Sequence, residues 1–357
     1  MPYASIPQPH EKYGPGEAEI SSSTLTLRRV LSGTLVATGG FRAADAPCLR
    51  PARRRGKHAG VQDGATTRMP YQDHVGKTET ATDTVWPPLI RGLAATLDIP
   101  EPELAPGGML PPLGHWMLFQ EWTPAHLLGE DGHPKRGGFM PPVHDLPRRM
   151  WAGGRVRFLA PLYAGQPVTR VNTILKIEEK TGASGRLVFV SVGQRTSGPD
   201  GLAIEEEQDI VYRSAEGAAV KAGEPAPSPP PCAVSRVVDP NTVLLFRYSA
   251  LIGNAHRIHY DHDFTMRQES YPGIVVHGPL QATWLADMVR RHTSGARIAT
   301  FAYRGRRPAF HQNKLTLLAW PQGDGLHLES RDHEGAVCMS AEATLTSVPP
   351  DSSPPHV

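Results

Sequence analysis

Cysteine is scarce. Cys48, Cys232 and Cys338 are the only three in 357 residues, with no CxxC pair among them. That spacing offers neither a disulfide framework nor a thiolate metal cluster, and it suits a reducing compartment. Charge of one sign is scarce too: a net +2 over this length gives no basis for a nucleic-acid or membrane-binding face. No apolar run approaches the roughly 18 residues that span a bilayer, and the N-terminus lacks the apolar core of a secretory signal. A cytoplasmic protein is expected, or a mitochondrial matrix protein if the chain is eukaryotic. Arg53-Arg54-Arg55 with Lys57 would suit a transit peptide, though a solvated run is the simpler reading.

Proline (36) and glycine (35) are plentiful instead, beside a hydrophobic share of 39%. This composition describes a globular core interrupted by flexible segments. Residues 1–68 are rich in Ser, Thr, Gly, Pro and Arg without periodicity and are expected to be a disordered extension, with order starting near Met69. Residues 215–232 contain the run GAAVKAGEPAPSPPP, which suits neither sheet nor helix and is expected to be a linker. It separates two segments of similar size, 69–214 and 233–347, and a polar tail, 348–357, follows.

The two segments share one order of elements. In the first, a short helix over Pro88–Leu97 precedes strands at 155–159, 168–178, 187–195 and 204–212, rich in Val, Ile, Phe and Thr. In the second, Leu280, Trp284, Leu285, Met288 and Val289 form a stripe at helical spacing over Pro279–Arg291. Strands at 298–303, 314–320, 326–330 and 337–344 come after it. A helix followed by an antiparallel meander, twice over, predicts an α+β architecture.

Chemistry concentrates between Tyr248 and Leu280, where His256, His259, His262 and His277 fall close together. Three readings apply. The first is a metal site, for which His256, His259 and His262 have i, i+3, i+6 spacing but no cysteine or HExxH companion; no metal is expected. The second is solvated or core-satisfied histidines, the default for any single one. The third is acid–base work, with a histidine and a polar residue five positions earlier holding one water.

The stretch Tyr248-Ser-Ala-Leu-Ile-Gly-Asn-Ala-His-Arg-Ile-His259 resembles the hydratase motif of MaoC-like hotdog enzymes, and Tyr271–Leu280 resembles the entry to that family's central helix. Gly132–Phe139 and Leu146–Arg155 resemble blocks of the first hotdog in one branch. That branch contains the mesaconyl-C4-CoA and itaconyl-CoA hydratases and the mitochondrial-type 3-hydroxyacyl-thioester dehydratases. The resemblance covers about residues 69–347. It implies a double hotdog, two antiparallel sheets each wrapped on a central helix, with the first half non-catalytic and the second catalytic. It also implies a hydro-lyase that hydrates an enoyl thioester or dehydrates a 3-hydroxyacyl thioester in fatty-acid or dicarboxylic acyl-CoA metabolism. The expected partner is a small acyl thioester, in a homodimer, with no cofactor beyond the thioester's own CoA or carrier.

On this resemblance the catalytic residues are His259, Asn254 and Gly278. The wider family has Asp where this chain has Asn254, and an amide cannot take a proton near neutral pH, so His259 is the expected base. The N–H of Gly278, at the start of the helix, is the expected donor to an enolate oxygen. His277 is a candidate to face the substrate or to cap the helix. Arg148 and Arg149 are candidates for CoA phosphates or a substrate carboxylate, against a salt-bridged turn; Arg304, Arg306 and Arg307 are alternative phosphate contacts. Arg257 and Asp261 are further substrate-binding candidates, Asp261 also as an assistant to His259. A hotdog thioesterase and a non-catalytic acyl-thioester binding module are the competing readings.

Overall fold

The computed structural model describes residues 71–99, 107–182, 185–214, 223–293 and 296–347. By internal contacts the chain divides after Gly39, and every described residue lies in the second unit. The expected extension, most of the linker's first half and the tail fall outside the described residues.

Ten antiparallel strands form one sheet in the order β1-β3-β4-β5-β2-β7-β10-β9-β8-β6. The first five are β1 (Thr78–Thr84), β2 (Arg148–Phe158), β3 (Pro167–Gly182), β4 (Gly185–Gly198) and β5 (Gly201–Arg213); the second five are β6 (Val234–Val238), β7 (Ala296–Gly305), β8 (Leu315–Gln322), β9 (Gly325–Arg331) and β10 (Val337–Ser347). Read outward from the centre, the halves run β2-β5-β4-β3-β1 and β7-β10-β9-β8-β6, so each strand of one half has its counterpart in the other. The halves meet where β2 pairs with β7, from Gly153↔Arg304 to Arg157↔Thr300. The two expected sheets are thus halves of a continuous one. Two strands escaped the sequence reading, β1 and β6, and they are counterparts at the two edges. Thr78–Thr84 reads TETATDT, with no apolar residue larger than alanine to mark it.

The helices differ between halves. In the second half, α4 (Gly278–His292) is buried at every position from Leu280 to Val289 and packs against β7, β8, β9 and β10. That is the expected central helix, one residue longer at each end. The first-half helix, α1 (Pro87–Leu97), buries Ile90, Leu93, Ala94 and Leu97 and packs against α2 (Thr242–Leu251). The two helices are joined at their ends. Buried Asp287 of α4 binds Arg236, Arg290 and Arg291, and Arg291 donates to the Leu97 and Asp98 carbonyls at the C-terminus of α1. Those carbonyls have no acceptor role within α1, so the guanidinium satisfies acceptors that the helix end leaves open.

At the junction of the halves, the buried Glu206 carboxylate of β5 accepts from Trp116 Nε1 at 2.9 Å and the Tyr303 hydroxyl at 3.3 Å, and meets His115 Nε2 at 2.8 Å. Burial, the largest single influence, raises its pKa; the hydrogen bond and charge of His115 together with the hydrogen bonds from Gln208 and Trp116 outweigh it and keep Glu206 ionised. Trp151 of β2 stacks on Tyr303 of β7 with ring centres 4.5 Å apart. The described end of the Pro-rich segment lies along the outer hairpin, where Ala226 N–H donates to Gly335 O and Pro227 O accepts from Arg331.

Candidate active site

Between α2 and α4 the chain forms a 3-10 turn, Arg257–His259, and a short helix α3, His262–Arg267. The local sequence explains both. Asn254 Oδ1 accepts from His256 N–H at 2.8 Å, an Asx turn that starts the 3-10 segment. Asp261 Oδ1 accepts from Phe264 N–H at 3.0 Å and caps α3.

His259 is buried, and its Nδ1 lies 2.8 Å from the Val275 carbonyl. A carbonyl can only accept, so Nδ1 carries the ring proton and Nε2 keeps a lone pair. Nε2 has no protein partner among the described residues. The ring lines a cavity of about 550 Å³ whose walls also include Asn254, His256, Gly278, Trp151, Arg148 and Arg149. Burial, opposed by the Val275 hydrogen bond and assisted by His133, brings the His259 pKa down to about 4, so the ring is neutral near pH 7.

Behind His259 stands His277, fully buried and stacked at 3.7 Å. Its Nε2 is 2.8 Å from Ser249 Oγ, and burial, then His259 and His256, hold its pKa far below that of a free imidazole. Two expectations are corrected here. His277 is outside the cavity walls and cannot touch substrate, because the His259 ring covers it; and although it stands at the N-cap of α4, its side chain makes no cap bond. Its place is that of a wall fixing the plane of His259.

Arg257 and Asp261 are likewise not in the cavity lining. They bind each other, Nη2 to Oδ2 at 2.7 Å, while Arg257 Nη1 donates to Glu130 O and its guanidinium covers Phe264. They hold the loop, not the substrate. Arg148 and Arg149 do line the cavity, as the first residues of β2 rather than a preceding turn. Arg148 is neutralised by Glu269, Nε to Oε2 at 3.1 Å. Arg306 and Arg307 also line the cavity, and Arg304 does not.

Gly278 begins α4, so its N–H has no acceptor within the helix. The reason for glycine is an unexpected one: a Cβ there would lie 2.8 Å from Trp151 Cε3. The indole of the first half thus covers the helix start of the second.

Two side chains that the sequence reading left unassigned complete the wall. Asp131 accepts from His133 N–H at 3.0 Å and meets His133 Nδ1 at 2.9 Å. The His133 and His256 rings approach to 4.1 Å, and His256 meets His259 edge-on at 5.6 Å. Gly132 has φ +88°, and any Cβ on it would overlap the Ala255 carbonyl, so the 129–133 turn of the first half rests directly on the motif. Burial above all, then its histidine neighbours, lowers His256 to about 2. Asp131, His133 and His256 offer one ligand atom each within 4.8 Å of one another, the set that could hold an ion. His262, expected as a possible third ligand beside His256 and His259, starts α3 instead. A second cavity, about 420 Å³ and walled by side chains such as Met109, Leu110 and Phe158, lies by Val289 at the opposite end of α4 and contains no acid–base group of the motif.

Residues 113–311 match the family model for hydroxyacyl-thioester dehydratase type 2. The chain is 46% identical over 272 residues to a mesaconyl-C4-CoA hydratase of Chloroflexus aurantiacus, covering 76% of this chain and 96% of that one. It is 26% identical over 232 residues to the mitochondrial hydroxyacyl-thioester dehydratase type 2 of Schizosaccharomyces pombe, covering 58% of this chain and 77% of that one. Among solved structures, a MaoC-like dehydratase superposes with a TM-score of 0.58 at 13% identity, over 77% of this chain and 99% of the other. Another from Phytophthora capsici gives 0.57 at 15% identity, over 76% and 96%. At those identities the structures speak for the fold alone.

Proposed function

The chain belongs to the hydroxyacyl-thioester dehydratase type 2 family and is a hydro-lyase of acyl thioesters; from that premise we propose that it adds water to a short enoyl-CoA carrying a second carboxylate, as mesaconyl-C4-CoA does. The observation that carries the mechanism is the tautomer of His259. With Nδ1–H held by Val275 O, the Nε2 lone pair is left for a water in the cavity.

In the hydration direction the water oxygen bonds to the β carbon as His259 Nε2 takes its proton. The electron pair of the double bond moves toward the thioester, whose oxygen gains charge and accepts from the Gly278 N–H. His259 then returns the proton to the α carbon, which restores the thioester carbonyl and the neutral imidazole. A neutral ring suits this role, because a histidine already protonated has no lone pair to offer. A helix-start N–H is a fitting donor for the enolate, and losing one such donor costs on the order of 10²–10³ in rate.

Asn254 has a narrower role than a carboxylate would. Its Oδ1 is engaged by His256 N–H, so what remains for the cavity is its NH2, a donor that orients a water or substrate oxygen.

The reading extends to a protein of the cytoplasm, supported by the CoA substrate of its relative and by the lack, among the described residues, of a helix long and apolar enough to cross a membrane. It includes a homodimer and chemistry without a metal. Turnover that survives dialysis against EDTA supports the last point, and loss restored by one divalent ion refutes it. The substrate test is a spectrophotometric assay of the conjugated thioester band with crotonyl-, longer enoyl-, itaconyl- and mesaconyl-C4-CoA. Fastest loss of the band with mesaconyl-C4-CoA is expected; a preference for long unbranched enoyl groups would refute the dicarboxylic reading.

A further inference from the structure

We propose that Arg149 selects an acyl group with a second carboxylate by holding that carboxylate beside His133 and His256. The inference rests on the hydro-lyase reading and names the residue behind its substrate class.

The cavity is lined by four arginines, and their situations differ. Arg148 is paired with Glu269 and Arg307 with Asp332. Arg306 is exposed and donates to Ser340 Oγ at 3.0 Å. Arg149 is half-buried and pairs with no carboxylate among the described residues; its charge bears on the Tyr212 side chain. Tyr212 lies directly across the β2–β5 ladder from it.

A second guanidinium stands close by. Arg136 lies over the Tyr212 ring at 5.1 Å and donates to the Val143 and Pro147 carbonyls, which are neutral acceptors. Burial, together with the charge of Arg149, lowers its pKa, a sign that the two cations feel each other. The charge of Arg149 also reaches His133 and His256. Of the nearby carboxylates, Asp131 accepts from the backbone N–H of His133 and meets its Nδ1, and Asp145 pairs with Arg186. Those histidines are neutral, so Arg149 and Arg136 set two guanidinium charges at this end against the one carboxylate of Asp131, and a bound anion balances the surplus.

Carboxylate is the better match than CoA phosphate. Arg149 lines the same cavity as His133, His256 and His259, and its charge reaches the first two, whereas CoA phosphates are separated from the acyl carbon by the whole pantetheine arm. A guanidinium fork binds a carboxylate through two parallel hydrogen bonds, a geometry that lysine cannot copy.

The test compares wild type with Arg149→Gln and Arg149→Lys on two acyl groups of the same shape, mesaconyl-C4-CoA and 3-methylcrotonyl-CoA, in which a methyl replaces the carboxylate. Arg149→Gln is expected to lower kcat/KM for the first by roughly 10- to 100-fold, the usual size of a lost charged hydrogen bond, and for the second far less. Arg149→Lys should fall between. The same comparison on pantetheine thioesters, which lack the nucleotide phosphates, should preserve the difference. Calorimetric titration with the saturated counterparts of both thioesters reads the same selectivity without turnover. Equal losses on both acyl groups overturn the proposal, and so does a difference that vanishes on the pantetheine thioesters. If wild type hydrates neither substrate the short dicarboxylic substrate falls, and the titration still decides for or against Arg149.

Discussion

The two halves of the sheet have the same strand order and different occupations. The second half wraps a 15-residue helix whose middle is wholly buried, and from that core it presents His259, Asn254 and the first N–H of α4. The first half has the longer strands, 16, 14 and 13 residues in β3, β4 and β5. Its core includes part of the 139–147 segment, where Val143 and Leu146 pack with Ile174, Ile177 and Val190. Its α1 packs against α2. What the first half gives the site is a wall: the Asp131–His133 pair, Arg149 and the Trp151 indole over Gly278. On the proposed mechanism the duplicated fold divides the reaction, with proton transfer in one copy and recognition in the other, while one continuous sheet keeps the two in register.

That division makes the variants predictable. The largest effect belongs to the second half. His259→Ala should lower kcat by roughly 10²–10⁴, the range for a general base, with thioester affinity nearly intact by calorimetry. Turnover within a few-fold of wild type would move the base to another residue, with His256 and His133 of the same wall the first places to look. Gly278→Ala comes next, because it strikes where the halves touch. The added methyl has to displace the Trp151 ring, at a cost of about 1–3 kcal/mol for overpacking, and turnover should fall with it. A crystal structure showing Trp151 unmoved would break this part of the comparison.

Asn254→Asp is a finer test. One carboxylate oxygen can replace Oδ1 in accepting from His256 N–H, and the other then brings negative charge toward His259. The account expects the His259 pKa to rise from about 4, which moves the acid limb of the pH–rate profile upward. It also expects kcat to drop by about tenfold for loss of the NH2 donor. An unmoved acid limb would mean that residue 254 does not sense His259.

The last effect is on stability and leaves turnover near neutral pH untouched. His259 is buried neutral, with its folded pKa below the unfolded value of 6.5. The unfolded chain therefore binds more protons between those pH values, and stability must fall as pH drops from about 6.5 toward 4. His259 alone contributes on the order of 3 kcal/mol over that window. Wild type should lose melting temperature steeply on acidification, and His259→Ala should lose less. Parallel curves for the two would show that the ring is not buried neutral.

Much of this was legible in the sequence, and the reasons are local. The strands of both meanders announced themselves through Val, Ile and Phe between glycine turns. The stripe from Leu280 to Val289 marked α4 to within one residue at each end. Asn254, His259 and Gly278 lie in one continuous segment whose resemblance to a hydratase motif singled them out, and all three line the cavity. Tertiary pairings were not legible. Nothing near Arg257 in the chain says that its guanidinium will reach Glu130 O and leave the substrate alone. His133 and Trp151 come to the motif only because β2 pairs with β7, a contact between residues some 150 positions apart in register. The α2 helix could have been found, since Asn241 before a run of apolar residues is a cap signal, and its side chain does accept from Leu244 N–H. Asp261 carried the same kind of signal ahead of α3, and it was read as chemistry instead.

The most direct measurement is the mass of the acyl-CoA pool after incubation with mesaconyl-C4-CoA. The account predicts a thioester heavier by one water, with no free CoA released, formed by wild type and nearly absent with His259→Ala. Release of free CoA beside an unhydrated acyl group would make the protein a thioesterase and contradict it.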